Sequence, residues 1–412
     1  MNIKQLYISL FVLFMHIMPL PTQAAQTEHE AYTSLSELGF ENLQIKKIGN
    51  ITYVALEDNI YRGVYRGIGI ALEALSPSAT NNADTIILVA KQNDVPRVTV
   101  TAIHSEDQQW HISSVYGEEK AAAKALKGKK RKSSFGKIDL TLQPEIMIDS
   151  LLKDNNGKIG LALSPSLNVT LWKGASLTAQ VIVPIWDNID YKRDIPHVLP
   201  GVMTLNQMLC ANQKIEIEAS AGIFRMSGDY TGESRSGIDI KTRFHLNNRI
   251  DLGLDLGYTG AVTTTDAKWN FKKWDTFFGL GQINYYEPLI NCQFNLQAGQ
   301  FTYGDTGIRL DVVRRLAEYS VGCYGAYCDK EVGMGIFCSI PFGPKKKMKH
   351  TSVRVSLPES LAWNYLIQND SKKFVKENCG IIYSTTTDGN YSNNYWQPEY
   401  ITKYVLKFLT EK

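Results

Sequence analysis

GIDIKTRFHLNNRIDLGLDLGY, running from Gly237 to Tyr258, is the stretch that decides the fold. Ile238, Ile240, Thr242, Phe244 and Leu246 alternate with Asp239, Lys241, Arg243 and His245. After Asn247-Asn248-Arg249 the alternation resumes, with Ile250, Leu252, Leu254, Leu256 and Tyr258 against Asp251, Gly253, Asp255 and Gly257. Successive strand side chains point to opposite faces, so this is an antiparallel hairpin with one apolar and one polar face. Leu246 lies opposite Ile250 on the same face only if three residues turn the corner. Asn suits such a turn because it tolerates the left-handed backbone that one position is expected to need. A soluble sandwich gives the same alternation, with its polar face outward. The surrounding chain must decide which face is outside.

The pattern repeats on both sides. Ile138 to Ile148, Ile159 to Leu171, Leu177 to Ile185, Ile215 to Ile223, Ile290 to Ala298, Tyr319 to Tyr327 and Val332 to Phe342 all alternate. Globular strands usually run about five or six residues, whereas a strand crossing the hydrocarbon core needs about 9–11. Short turns such as Lys173-Gly174 alternate roughly with long polar connections, as at Asp187 to Pro200, Ser227 to Ser236 and Thr263 to Lys273. Long alternating segments joined in this way mark a transmembrane β-barrel, with apolar residues toward lipid and polar ones toward the lumen. The expected fold is mainly β: a single antiparallel transmembrane barrel of about twelve strands, over residues 133–370, preceded by a small α+β domain.

The first residues read as an export signal, residues 1–25. Lys4 precedes the apolar run Leu6 to Met18, and small residues surround a cleavage point after Ala24 or Ala25. That run is too short to span a bilayer. Residues 26–132 read as helix, two strands, helix, two strands and helix, a periplasmic α+β module. Its second helix carries Val64, Ile68, Leu72 and Leu75 at helical spacing, and its strand pairs turn at Gly49-Asn50 and Asn93-Asp94. Two basic runs, Lys124 to Lys132 and Lys345 to Lys349, flank the barrel segment. An even strand count puts both at the periplasmic end, solvated or near acidic head groups. Residues 371–412 form a tail whose last segment, from Pro398, places Ile401, Tyr404, Val405, Phe408 and Leu409 on one helical face. Such a helix packs on its own domain or docks a partner. The six cysteines, Cys210, Cys292, Cys323, Cys328, Cys338 and Cys379, permit disulfides in an exported chain. Cys292, Cys323 and Cys338 also fall on apolar strand sides, where a small hydrophobe suffices.

A net charge of +3 gives no sign of nucleic-acid binding. No Gly-rich phosphate loop, HExxH, Gly-x-Ser-x-Gly or Cys-x-x-Cys occurs, so no catalytic residue, cofactor or metal is assigned. His245 and His350 have no partner at a spacing that marks a site. The charged residues of the polar faces, Asp239, Lys241, Arg243, Asp251, Asp255, Arg309, Asp311 and Arg315, are the candidates for lumen contacts to a glycan. Tyr230, Trp269, Trp274 and Tyr285 are candidates for stacking on sugar rings, with an aromatic girdle as the alternative.

Gly222 to Ile240, GIFRMSGDYTGESRSGIDI, resembles the aromatic–x–Gly then Tyr-Gly-Gly…Glu stretch of the YjbH family of exopolysaccharide-associated outer-membrane proteins, with Thr231 replacing the first glycine of the pair. Gly299 to Gly343 resembles a second block of that family, matching at Gly307, Arg314, Arg315, Gly322, Gly335, Ile340, Pro341 and Phe342. A following Leu-Thr-Arg-Asp motif is echoed near Leu366 to Asp370, but with Gln368 in place of its Arg. The resemblance implies a non-enzymatic role in export or assembly of an extracellular polysaccharide. Its partners would be outer-membrane lipid, the polysaccharide and other secretion proteins. Two rivals stand beside it: an outer-membrane enzyme acting on glycan or lipid, and a plugged structural or adhesive barrel.

Overall fold

The computed structural model describes residues 23–76, 85–104, 109–128, 130–150, 158–187, 198–226, 234–265, 268–349, 351–366, 379–387 and 395–411. Most of the expected export signal, the candidate Tyr230 and the Leu366 to Asp370 motif beyond Leu366 lie outside these residues.

The N-terminal region contains α1 (Gln23–Leu38), β1 (Glu41–Ile48), β2 (Ile51–Glu57), α2 (Val64–Leu75), β3 (Thr85–Gln92), β4 (Val95–His104), β5 (Trp110–Tyr116) and α3 (Lys120–Ala125). The five strands form one sheet in chain order. The two expected strand pairs are joined, because β2 and β3 run parallel. Parallel neighbours need a long crossover, which α2 supplies. The strand β5 was not foreseen; its Ser113 and Ser114 blur the alternation, and it lies at the sheet edge. Helices cover both faces. Leu88, Val98 and Val100 pack in one buried cluster with Leu35, Ile68 and Leu72. Ile87 and Val89 pack on the other side with Ala122 and Leu126. This explains why β3 reads as a nearly continuous apolar run.

The last helix, α4 (Pro398–Thr410), completes that first cluster. Its Tyr400, Ile401, Tyr404 and Val405 are buried there. Pro398 opens the helix, and the Gln397 side chain accepts the Tyr400 amide at 2.6 Å. Gly69 of α2 lets the helices approach, since a Cβ there would lie 2.3 Å from Phe408. The tail helix therefore docks on the module of its own chain. Each fully buried apolar side chain contributes about 1.5–3 kcal/mol, so α4 is firmly tied to it.

The remaining strands are β6 (Ile138–Ser150), β7 (Lys158–Trp172), β8 (Ala175–Asp187), β9 (Leu199–Ala211), β10 (Ile215–Met226), β11 (Ser234–His245), β12 (Ile250–Thr265), β13 (Lys268–Phe271), β14 (Thr276–Glu287), β15 (Cys292–Gln300), β16 (Thr306–Leu316), β17 (Tyr319–Cys328), β18 (Glu331–Pro341), β19 (Val353–Ser356), β20 (Ser360–Leu366) and β21 (Tyr383–Ser384). They form one 16-stranded sheet, an antiparallel meander from β6 to β18 with β20 next to β18. At its other edge β19 pairs with β6 in parallel. β20 lies near β6, with no ladder between them among the described residues.

The hairpin of β11 and β12 has the expected register, with Phe244 opposite Leu252 and His245 opposite Asp251. Its three-residue turn does not use a left-handed Asn; none of the three has a positive φ. Instead the Asn247 carboxamide oxygen accepts the amides of Arg249 and Ile250, a side-chain mimic of a backbone turn.

The burial of this sheet is inverted. Ile238 and Ile240 are each 48% exposed, while Asp239 between them is 2% exposed. The same holds far along the sheet, where Ile308 and Leu310 are exposed and Arg309 and Asp311 are buried. The sheet turns its apolar row outward and gathers its polar row on a concave side. Among the described residues no helix is long and apolar enough to cross a membrane.

The N-terminal module closes off the short-turn end of this sheet. The Gly174 amide donates to the Asn93 carbonyl at 2.8 Å. The Asn248 side chain donates to the Ser114 carbonyl at 3.0 Å. Arg62 forms an ion pair with Glu318 in the β16–β17 turn and donates to the carbonyls of Phe342 and Gly343 beyond β18. Both basic runs also lie at this end, but several of their lysines are engaged. Lys130 pairs with Asp94, Lys132 donates to the Ser36 carbonyl, and Lys347 pairs with Glu359.

Candidate functional site

The polar row of the sheet is crossed by the chain's own tail. Residues 379–387 lie on the concave side, and β21 pairs there with the end of β10. The Tyr383 hydroxyl donates to Asp239 at 2.6 Å, and Lys241 lies 5.0 Å from the Tyr383 ring centre. The Thr385 carbonyl accepts from Thr204 and Asn206 on β9. Arg309 donates to the Gly380 carbonyl at 2.7 Å, grips Asp311 and stacks over Tyr324 at 3.6 Å. Within residues 379–387 the tail passes from the β17–β18 end, at Gly380, to β9, at Thr385, and α4 lies on the module. The sequence suggests a strand over Cys379 to Thr385, of which Tyr383–Ser384 forms β21, but nothing in it shows that the strand lies across the polar row.

Between this tail, the concave face and the module lies a polar cavity of about 310 Å³. Arg97 and Tyr116 line it from the module. Glu216, Glu218, Lys241, Arg243, His245, Asp251 and Arg315 line it from the sheet, with Tyr395, Trp396 and Gln397 from the tail. A linked set of charges joins module to sheet. Arg97 lies 3.3 Å from Glu216, whose other oxygen is 3.8 Å from His245 Nε2. His245 Nδ1 lies 2.7 Å from Asp251 Oδ1, and the Tyr116 hydroxyl donates to Asp251 Oδ2 at 3.1 Å. The Tyr116 ring stacks flat on His245, centres 3.6 Å apart. Burial pushes the Tyr116 hydroxyl well above the usual phenol range, so it remains a donor to Asp251. Arg315 lies over the Tyr395 ring at 3.8 Å and donates to Gln293. A smaller cavity of about 120 Å³ shares Lys241, Arg243 and Arg315 and adds Asp255, Asp311 and Tyr383.

The charged residues marked in the sequence divide into two sets. Lys241, Arg243, Asp251, Asp255 and Arg315 line the cavities. Arg243 remains exposed among them, so water reaches this space. Asp239, Arg309 and Asp311 are almost wholly buried and are engaged with the tail or with each other. They fasten the tail, although Asp311 also touches the smaller cavity. The aromatic candidates lie elsewhere. Trp269 donates to the Val198 carbonyl, and Trp274 donates to Ser236 and packs edge-on against Tyr258 of the apolar row. Tyr285 stacks with Phe294 on that same outward side. None of the three lines the polar cavity.

Sequence reasoning missed His245 as a partnered residue. The parity that sets Leu246 opposite Ile250 also sets His245 opposite Asp251, so the pair was legible in the turn length. Arg97, Tyr116, Tyr395 and Trp396 were missed for a different reason: they come from segments that only tertiary structure brings to the sheet.

The family profile described as exopolysaccharide biosynthesis protein YbjH matches residues 17–344. The chain belongs to the YjbH family. The match covers the module and the long strands through β18, so both are parts of one family architecture. The tail that fills the concave side lies beyond the matched residues. No curated protein matches the chain. Membership ties the protein to exopolysaccharide biosynthesis.

Proposed function

We propose that the protein is an exported outer-membrane β-barrel that takes part in export or assembly of an extracellular polysaccharide, with the module in the periplasm. The observation that carries this reading is the inverted burial of the large sheet, apolar residues outward and charged residues inward. In water, such an outward row would expose an apolar band far larger than the few hundred Å² normal for a soluble protein. In a bilayer the same row is solvated by lipid, and the polar lumen stays hydrated. The family link to exopolysaccharide biosynthesis supplies the substrate class. Lys241, Arg243, Asp251, Asp255 and Arg315 would meet a hydrated glycan, acting by binding and not by covalent chemistry.

The tail favours a resting state in which the lumen is occupied by the chain itself. The plugged-barrel rival therefore describes the resting form, and transport would require the tail to yield. Fractionation with heat-modifiable gel mobility tests the membrane reading. Recovery in the outer-membrane fraction, with a mobility shift on heating, is expected; recovery as soluble periplasmic protein would refute it. The polysaccharide role is checked by released polymer in a deletion strain. Wild-type protein should restore it, and the double variant R243A/R315A should restore it less.

A further inference from the structure

Cys328 and Cys379 meet where the described tail segment lies against the sheet. Cys328 ends β17 at the end away from the module, and Cys379 begins the described tail segment. Each is 1% exposed, and both pack with Leu280, Phe301, Tyr324 and Ala326. Their sulfur atoms and a carboxylate oxygen of Asp305 all lie within 4.8 Å of one another. The backbone beside them is fixed. The Gly380 amide donates to Asp305 Oδ2 at 2.7 Å, and its carbonyl accepts from Arg309. Gly380 has φ +66, and a Cβ there would meet Ala326 at 2.5 Å, so the tail lies tight against the wall.

We propose that Cys328 and Cys379 form a disulfide that fastens the tail to the wall. This rests on the reading that the chain is exported, since such bonds persist in oxidising compartments. A thiolate of the pair attacks the disulfide of an envelope dithiol–disulfide oxidoreductase, giving a mixed disulfide. The second cysteine, as its thiolate, displaces it. The Sγ–Sγ bond forms, the two cysteines lose two protons and two electrons, and the oxidoreductase is reduced to its dithiol. Two thiolates and a carboxylate are also three of the four donors of a zinc site. No fourth His, Cys, Asp or Glu joins these three among the described residues, so a closed tetrahedral zinc site lacks a donor and the disulfide is the reading favoured. None of the six cysteines is in a disulfide in this structure; Cys210, Cys292, Cys323 and Cys338 lie on other strand positions and stay as thiols in the proposal.

The test is thiol counting on full-length protein, isolated without reductant and denatured in a maleimide. With six cysteines in the chain, the expected result is four labels without reduction and six after it. A linked peptide should join the Cys328 and Cys379 fragments. C328S and C379S should each give five labels without reduction, the freed partner being the fifth. Six labels on envelope-located wild-type protein would overturn the disulfide, as would stoichiometric zinc in its native mass spectrum. If the protein is instead recovered from the cytoplasm, the export reading fails separately. The pair is then judged by treating purified protein with oxidised glutathione: formation of the Cys328–Cys379 link supports it, and a random mixture of links overturns it.

Discussion

The five-stranded sheet of the module and the large sheet are written in the same alternating code and packed in opposite senses. In β4, Val98, Val100 and Ala102 are fully buried beneath helices. In β11, Ile238 and Ile240 face outward while Asp239 is buried. Alternation specifies a strand with two unlike faces and says nothing about which solvent each face meets. That choice is made by what lies opposite. In the module, α1, α2 and α4 offer apolar stripes to the sheet. On the concave side of the large sheet, the chain offers Tyr383, Thr385 and Arg97.

The largest expected effect that tests this contrast is in the module. Val100→Asp places an unpaired carboxylate in its core and should cost more than about 4 kcal/mol, unfolding the module while the large sheet still forms. Limited proteolysis would locate the damage. Ile240→Arg is the matching change in the large sheet. Against lipid it should cost about 2–4 kcal/mol, measured by denaturant titration of protein folded into lipid vesicles. A change below about 0.5 kcal/mol, the norm for an exposed position in water, would break the comparison.

Buried carboxylates sharpen it further. In the module, burial pushes the Asp58 carboxyl up from 3.8 to about 7, although it accepts the amides of Ile60 and Tyr61. The folded state then holds a proton that the unfolded state has released. Its contribution is present below about pH 4 and is lost as pH rises through about 7. The module's melting temperature should fall over that window by the equivalent of about 4 kcal/mol, and Asp58→Asn should flatten the slope. Scanning calorimetry across pH 4–8 would check this. An unchanged slope in the variant would remove Asp58 as its source. The smallest effect concerns the tail. Tyr383→Phe leaves Asp239 without that donor and should weaken tail attachment by about 1–2 kcal/mol, read as faster protease cleavage within residues 379–397.

Much of this architecture was legible in the sequence. Most long strands between Ile138 and Pro341, the register of the β11–β12 hairpin and the helices α2 and α4 follow from local periodicity; β9 and β16 were not read as strands, and β14 has a blurred pattern. The candidate site was legible on its strand side, because Lys241, Arg243, Asp251 and Asp255 occupy polar alternation positions. What could not be read was any contact made by a non-periodic segment. The tail route, the stacking of Tyr116 on His245 and the pairing of Arg62 with Glu318 join residues far apart in the chain. Their geometry is set by the assembled fold. Arg309 and Asp311 show the limit clearly: their polarity placed them on the inward face, but only the tail's position made them clamps.

The docking of α4 on the module has a consequence for biosynthesis. The 13 residues of this helix are translated long after Leu35 and Phe40, yet they complete the core that those residues begin. A chain cut short between β18 and α4 would carry the long strands and still present an unfinished apolar surface on its module. Such a surface is what chaperones and proteases recognise. The fold thereby makes synthesis through α4 a condition of the module's own maturation.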